Sequence, residues 1–389
     1  MADAFIVGAV RSAVGVGKPG KGALSATRAD VLLARVLDAL AKQAKVDPKV
    51  IDDVIAGCVT PIGEQGFNIG RMAVLEAGWP VEVTAATVNR MCGSSLQAVH
   101  QAAHAIMAGQ ASITIGCGVE VMSRTPMGSD GMVGGNVWPP APPEYKYDFV
   151  MQGMSAEMIA ERWKQTRKEL DELSLESHRR AVAAQEKGQF DREIVSLDVA
   201  YPDGQKRPFA RDEGPRGNTS LEKLATLPTV FKADGVVHAG NSSQISDGAA
   251  AVLLASEAAC AKYGLKKRAR IAQTATAGVD PVIMLTGVIP ATQNILKRAG
   301  LSVKDIDLFE VNEAFASVAA AWRTDVGADW SKVNVRGGAI ALGHPLGGSG
   351  ARLMTTLLHA LEDGDKRYGL QTMCIGFGQA TATILDRKV

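Results

Sequence analysis

The chain has 389 residues, 46% of them apolar and 21% charged, the balance of a soluble globular protein with mass for two or three domains. A formal net charge of +1 gives no electrostatic pull toward nucleic acid or an anionic membrane surface. Apolar runs stop well short of the ~20 residues that span a bilayer. Five scattered cysteines without a CxxC pair argue for a reducing cytoplasm and against a disulfide or zinc framework.

In chain order, "AFIVGAV" reads as a first strand, with Asp3 where a secretory signal would be basic. "ADVLLARVLDALAKQA" follows with apolar residues at helical spacing. "VIDDVIAGCV" and "TAATVNR" read as strands, "CGSSLQAV" opens a helix, and "ASITIGCGV" is another strand. Strands alternating with helices predict βαβ units and a mostly parallel sheet. From 121 to 246 the texture changes to Gly, Pro and Met, with Trp138 and two Pro-Pro pairs, then two helical stretches and more loop. This segment reads as an insertion that covers something. The alternation resumes with "AAAVLLAS", "RARIAQTATAGV", the helix "ATQNILKRAG", the strand "DIDLFEV", the helix "EAFASVAAAWR" and the strand "VNVRGGA". The last helix, "SGARLMTTLLHALEDG", ends at Gly364, and "GLQTMCIGFG" and "QATATILDR" close the chain as strands.

A Gly/Ser-opened helix followed by a strand occurs in both halves, which predicts a duplicated α/β domain split by the insertion. The expected division is 1–120 with 247–270 as an N-terminal α/β domain carrying Cys92, 121–246 as the inserted loop domain, and 271–389 as a C-terminal α/β domain.

Two motifs are weak. "GVGKPGKG" satisfies G-x-G-x-x-G through Gly15, Gly17 and Gly20, but no clear helix follows and Gly22 replaces the hydroxyl a phosphate loop needs. His100 and His104 lie one helical turn apart without the glutamate of a metalloprotease, and no metal site is expected.

The chemistry gathers elsewhere. Cys92 stands where a strand ends and a helix begins, so free N–H groups and the helix dipole are expected to favour a thiolate. His344 lies among the six glycines of "GGAIALGHPLGGSGAR", a turn that fixes an imidazole and lets a ligand approach backbone closely. Asn312 of "NEAFA" ends a strand where an amide can serve an oxyanion, and "CIGFG" supplies Cys374 and the unhindered N–H of Gly376. Two cysteines, one histidine, one asparagine and a glycine amide fit acyl transfer through a thioester coupled to proton abstraction α to a carbonyl.

With "NRMCGSSLQA", "HAGNSSQISDGAAA", "NEAFA", "GGAIALGHPLGGSGAR" and "CIGFGQA" in this order, the chain resembles the thiolases over essentially its whole length. The resemblance implies two duplicated α/β domains stacked as αβαβα layers with an inserted loop domain. It implies that Cys92 is the acylated nucleophile, that His344 takes its proton and, with a water held by Asn312, binds a thioester oxygen, and that Cys374 is the acid/base. The amides of Cys92 and Gly376 would form a second oxyanion hole. Coenzyme A and acyl-CoA would be substrates with no covalently bound cofactor. Arg216 would approach the adenine-phosphate end and Ser243 the pantetheine, with Phe231, Ala239 and Phe315 along the channel. A homodimer or homotetramer, with a partner subunit in β-oxidation, follows by analogy only.

Met151 and Gln152 stand where short-chain acetoacetyl thiolases have His-Met, and Phe377 where those enzymes have Gly. These departures make the chain more similar to degradative 3-ketoacyl-CoA thiolases. The alternatives are a biosynthetic acetoacetyl-CoA thiolase and a non-catalytic thiolase-like acyl-CoA-binding protein.

Overall fold

The computed structural model describes residues 2–132 and 146–389. Trp138 and the Pro-Pro pairs lie outside them. In chain order the first half contains β1 (Ala4–Ser12), β2 (Gly15–Val16), α1 (Ala29–Ala44), β3 (Asp53–Gly57), α2 (Ile69–Glu76), β4 (Thr84–Val88), α3 (Ser94–Met107) and β5 (Ile113–Val121). The intervening segment carries α4 (Gln152–Arg162), α5 (Arg167–Glu186), β6 (Ile194–Val195), β7 (Leu197–Ala200), β8 (Lys206–Phe209) and α6 (Leu221–Ala225). Then follow β9 (Ser246–Ser256), α7 (Glu257–Tyr263), β10 (Ala269–Gly278), α8 (Val288–Ala299), β11 (Leu308–Val311), α9 (Ala316–Val326), α10 (Ala339–Leu342), α11 (Ser349–Asp363), β12 (Tyr368–Ile375) and β13 (Gln379–Asp386).

Local chemistry explains the boundaries. Asp30 complements the positive start of α1, and Lys45 ends that helix in the left-handed conformation. A reciprocal Thr166–Glu169 capping box starts α5. The glycine-flanked run "GVGKPGKG" holds only the short strand β2 and turns, and more turns separate it from α1.

The main sheet runs β11-β12-β13-β10-β1-β9-β5-β3-β4. In its first half, β4-β3-β5-β9-β1, the strands β4, β3, β5 and β1 run one way and β9 runs against them. The second half repeats the arrangement: Val333 bridges parallel to Phe309 of β11, β11 is parallel to β12, and β13 and β10 follow antiparallel. The halves meet where the equivalent strands β1 and β10 pair antiparallel at Phe5–Arg270 and Ile6–Ala269.

Three apolar clusters stack the layers. Leu33 and Leu37 of α1 and Val74 of α2 cover one face of the first half. Val288 and Ile295 of α8 and Trp322 of α9 cover the second. Between the halves lie α3 and α11, whose Leu96, Val99, Met354 and Leu357 pack on Ile6 and Val252 from one side and on Ile271, Met373 and Leu385 from the other. The two central helices cross so tightly that a Cβ on Gly350 would lie 2.2 Å from the Leu96 nitrogen. His100 and His104, set aside as metal ligands, pin α3 to the second half through Thr383 (2.7 Å) and Thr274 (3.0 Å).

The expected strand "VNVRGGA" reduces to one bridge. Asn334 has φ 46°, and its side chain takes over the ladder by accepting from Val311 N at 2.8 Å and donating to Val311 O at 2.9 Å. A side chain that supplies both partners leaves no reason for the strand to continue.

Candidate active site

The residues between β4 and α3 form a turn tied by its own side chains. Asn89 Oδ1 accepts from Met91 N at 2.8 Å and Asn89 Nδ2 donates to Val59 O at 2.9 Å, while Ser94 Oγ donates to Met91 O at 2.6 Å. Met91 is held at φ 44°, a conformation a non-glycine residue adopts only when its surroundings enforce it. The turn delivers Cys92 to the start of α3, 5% exposed. Burial pushes its thiol up to about 11, against the backbone N–H groups of Gly376 and of Cys92 itself and the side chain of Gln152, which pull it down. This corrects the expectation of a thiolate at rest: loss of hydration outweighs the helix start, and the thiol needs a base.

The base lies in the turn before α11. His344 N donates to Gln244 O at 3.0 Å, and His344 Nδ1 lies 2.5 Å from Ser349 Oγ. Ser349 Oγ donates its own proton to Pro345 O at 2.8 Å, so it accepts from Nδ1–H. That leaves the lone pair on Nε2, which faces Asn312 Nδ2 at 3.3 Å. Burial, reinforced by Arg352, holds the imidazole down at about 3, so it is neutral across the physiological range.

Cys374 is the penultimate residue of β12 and is fully buried. Burial and the neighbouring Cys92 push its thiol up, while the Asn312 side chain pulls it down. The one Asn312 amide therefore faces both His344 and Cys374, and its buried Oδ1 has no partner among the described residues. Cys92, Gly376, His344, Asn312 and Cys374 thus converge from four element ends. A thiol beneath two backbone donors, a neutral imidazole and a second thiol can form a thioester and move a proton at carbon.

Of the residues expected along the channel, Phe231 and Phe315 meet edge to face, ring centroids 6.2 Å apart. Ser243 N donates to Ala314 O at 2.9 Å, which ties the "NSSQ" segment to "NEAFA". Exposed Arg216 donates its backbone N–H to His178 Nδ1 at 3.1 Å, and its Nη2 lies 3.4 Å from Gln244 Oε1. Ala239 is exposed on the short turn Ala239–Asn241. Arg216, Ser243 and Ala239 make no hydrogen bond to Cys92, His344 or Cys374.

Two residues of the site escaped the sequence reading. Glu120, fully buried on β5, accepts from Val59 N (2.9 Å), Thr60 N (3.1 Å), Gln65 Nε2 (2.7 Å) and Gly347 N (2.8 Å). It fastens the His344 turn to the first half, and the signal was one acid in the apolar strand "ITIGCGVEV". Gln152 stood out only as a departure from a pattern, yet its amide faces the Cys92 sulfur.

Size alone does not locate the chemistry. A cleft of about 1200 Å³, lined by Lys45, Arg192, His359 and Glu362, lies at the far end of α11 from His344. Among the described residues, no group of three or more His, Cys, Asp or Glu side chains is placed to hold a metal ion.

Comparison with known proteins identifies the family. Residues 4–258 match the thiolase N-terminal domain and residues 265–387 the thiolase C-terminal domain. The chain is 46% identical to the steroid 3-ketoacyl-CoA thiolase FadA6 of Mycobacterium tuberculosis, over 100% of this chain and 95% of that protein. It is likewise 46% identical to a beta-ketoadipyl-CoA thiolase of Acinetobacter baylyi over the full length of both. The structure of human mitochondrial 3-ketoacyl-CoA thiolase superposes with a TM-score of 0.91 at 37% identity, covering 100% of this chain and 99% of that one. The chain belongs to the thiolase family.

Proposed function

We propose that this thiolase is degradative: it cleaves a 3-ketoacyl-CoA with free coenzyme A, giving acetyl-CoA and an acyl-CoA two carbons shorter. The observation that carries the reading is the single Asn312 amide facing both a neutral imidazole and a second thiol, beside a nucleophile beneath two N–H donors. His344 Nε2 takes the proton of Cys92, and the sulfur attacks the C3 carbonyl. The C3 oxyanion is held by the N–H groups of Cys92 and Gly376. The C2–C3 bond breaks, and its electron pair passes into an enolate whose thioester oxygen is met by His344 Nε2–H and a water held by Asn312. Cys374 gives its proton to C2, and acetyl-CoA leaves. Cys374 then deprotonates the incoming thiol, which takes the acyl group from Cys92, and Cys92 recovers its proton from His344.

The same reading assigns 1–120 with 247–270 and 271–389 to two catalytic domains. It makes 121–246 the cover for coenzyme A, with Arg216, Phe231, Ala239, Ser243 and Phe315 along the substrate. It also assigns the protein to the cytoplasm as a homodimer or homotetramer, associated with a β-oxidation partner subunit. No helix among the described residues is long and apolar enough to cross a membrane.

Intact mass spectrometry after incubation with a 3-ketoacyl-CoA and no free coenzyme A tests the mechanism. One acyl adduct on Cys92, absent from Cys92→Ala, is expected; an adduct on another cysteine, or none, overturns it. Faster thiolysis of acetoacetyl-CoA than of medium-chain or ring-bearing 3-ketoacyl-CoA would reverse the degradative assignment.

A further inference from the structure

The Gln152 side chain is the first residue of α4, an element of the inserted segment, yet it reaches the reacting sulfur. Two glycines make the approach. A Cβ on Gly153 would stand 2.2 Å from the Phe231 ring, so the first turn of α4 lies flat on that ring. A Cβ on Gly376 would stand 2.8 Å from Gln152 Nε2, so any side chain at 376 would displace the amide. The amide nitrogen therefore sits directly over the residue whose backbone N–H faces Cys92. The Gln152 side chain hydrogen-bonds Cys92, which aims its amide at the sulfur.

We propose that Gln152 is a further catalytic residue, a third N–H donor aimed at the Cys92 sulfur that stabilises the thiolate as the proton leaves and so sets the rate of acylation. The proposal rests on the thiolase reading and adds a group to its site. The need follows from the surroundings. Cys92 is buried, and the groups around it are Glu120 from β5, which repels a thiolate, Cys374 from β12, which is protonated, and His344 from the 343–348 turn, which is neutral. None is a resting cation, so neutral N–H dipoles carry the stabilisation, and the inserted segment supplies one of them.

The pH dependence of Cys92 alkylation by iodoacetamide, read by peptide mass spectrometry, tests this directly. In Gln152→Leu, which keeps bulk and loses the donor, the alkylation profile is expected to move up by about one to two pH units. Acyl-Cys92 formation near neutrality should slow about ten- to hundredfold, with the adduct still on Cys92. Gln152→Glu, nearly the same shape with an acceptor in place of the donor, should move the profile at least as far. Thermal unfolding and acetyl-CoA affinity serve as controls for folding, and if the leucine variant is unstable the glutamate variant decides. An unmoved profile, with only KM for the acyl-CoA raised, would make Gln152 a channel wall and overturn the proposal. Failure of the thiolase reading itself would show differently, as no acyl adduct on wild-type Cys92.

Discussion

The two halves of the molecule share one strand order and one pattern of strand directions, yet they end in different chemistry. The turn before α3 carries Cys92, and the equivalent turn before α11 carries His344. One residue past β3 stands Cys58, and one residue past the equivalent strand β11 stands Asn312. Cys58 is fully buried and lies 3.9 Å from Glu120 Oε1, and burial with that carboxylate pushes its thiol up. Asn312 instead faces His344 and Cys374. A duplicated scaffold supplies matched element ends, and function follows from which copy keeps each end open to the seam. Glu120 closes the first copy's strand end and simultaneously braces the second copy's histidine turn.

Exchanging weight between the halves gives a graded set of tests. Asn312→Ala should lower kcat by about 10²–10³-fold, because it removes the donor at His344 and Cys374 in one step. Steady-state thiolysis checks this, and a fall under fivefold would remove Asn312 from the machinery. The next effect is at the seam. Burial holds His100 and His344 at about 3 and His178 at about 4, all below the ~6.5 of an unfolded histidine. Below that pH the unfolded chain binds protons that the folded protein refuses at these positions, so the stability the three histidines contribute is full above about pH 6.5 and is lost as pH falls toward 4. His100→Gln should relieve about 2 kcal/mol of the loss between pH 6.5 and 5, read from urea midpoints; an unchanged slope would show that His100 is charged in the folded state. The smallest effect belongs to Cys58→Ala, about 1 kcal/mol of stability with kcat within twofold. A kinetic defect as large as that of Asn312→Ala would erase the contrast between the two strand ends.

Much of this was legible because it is local. A strand, a short turn and "CGSSL" place a thiol at a helix start, and "GHPLGG" fixes an imidazole without knowledge of the fold. What was not legible depends on distance in sequence. Glu120 and Gly347 are 227 residues apart, and only the folded sheet brings them to 2.8 Å. The state of Cys92 was misjudged for the same reason, since its burial comes from β12 and α4, far along the chain. The strand at Val333 failed because Asn334 supplies with its side chain what a ladder would supply with backbone.

The crossing of α3 and α11 at Gly350 has a consequence for the order of events during synthesis. A growing chain holds Cys92 long before His344, Cys374 and Gly376 are made. Until α11 threads beneath the first half, the thiol has neither its base nor its second backbone donor. Acyl-transfer competence therefore comes only after both halves are made, and until then Cys92 is an ordinary cysteine, with more thiolate than the buried resting thiol of the finished site.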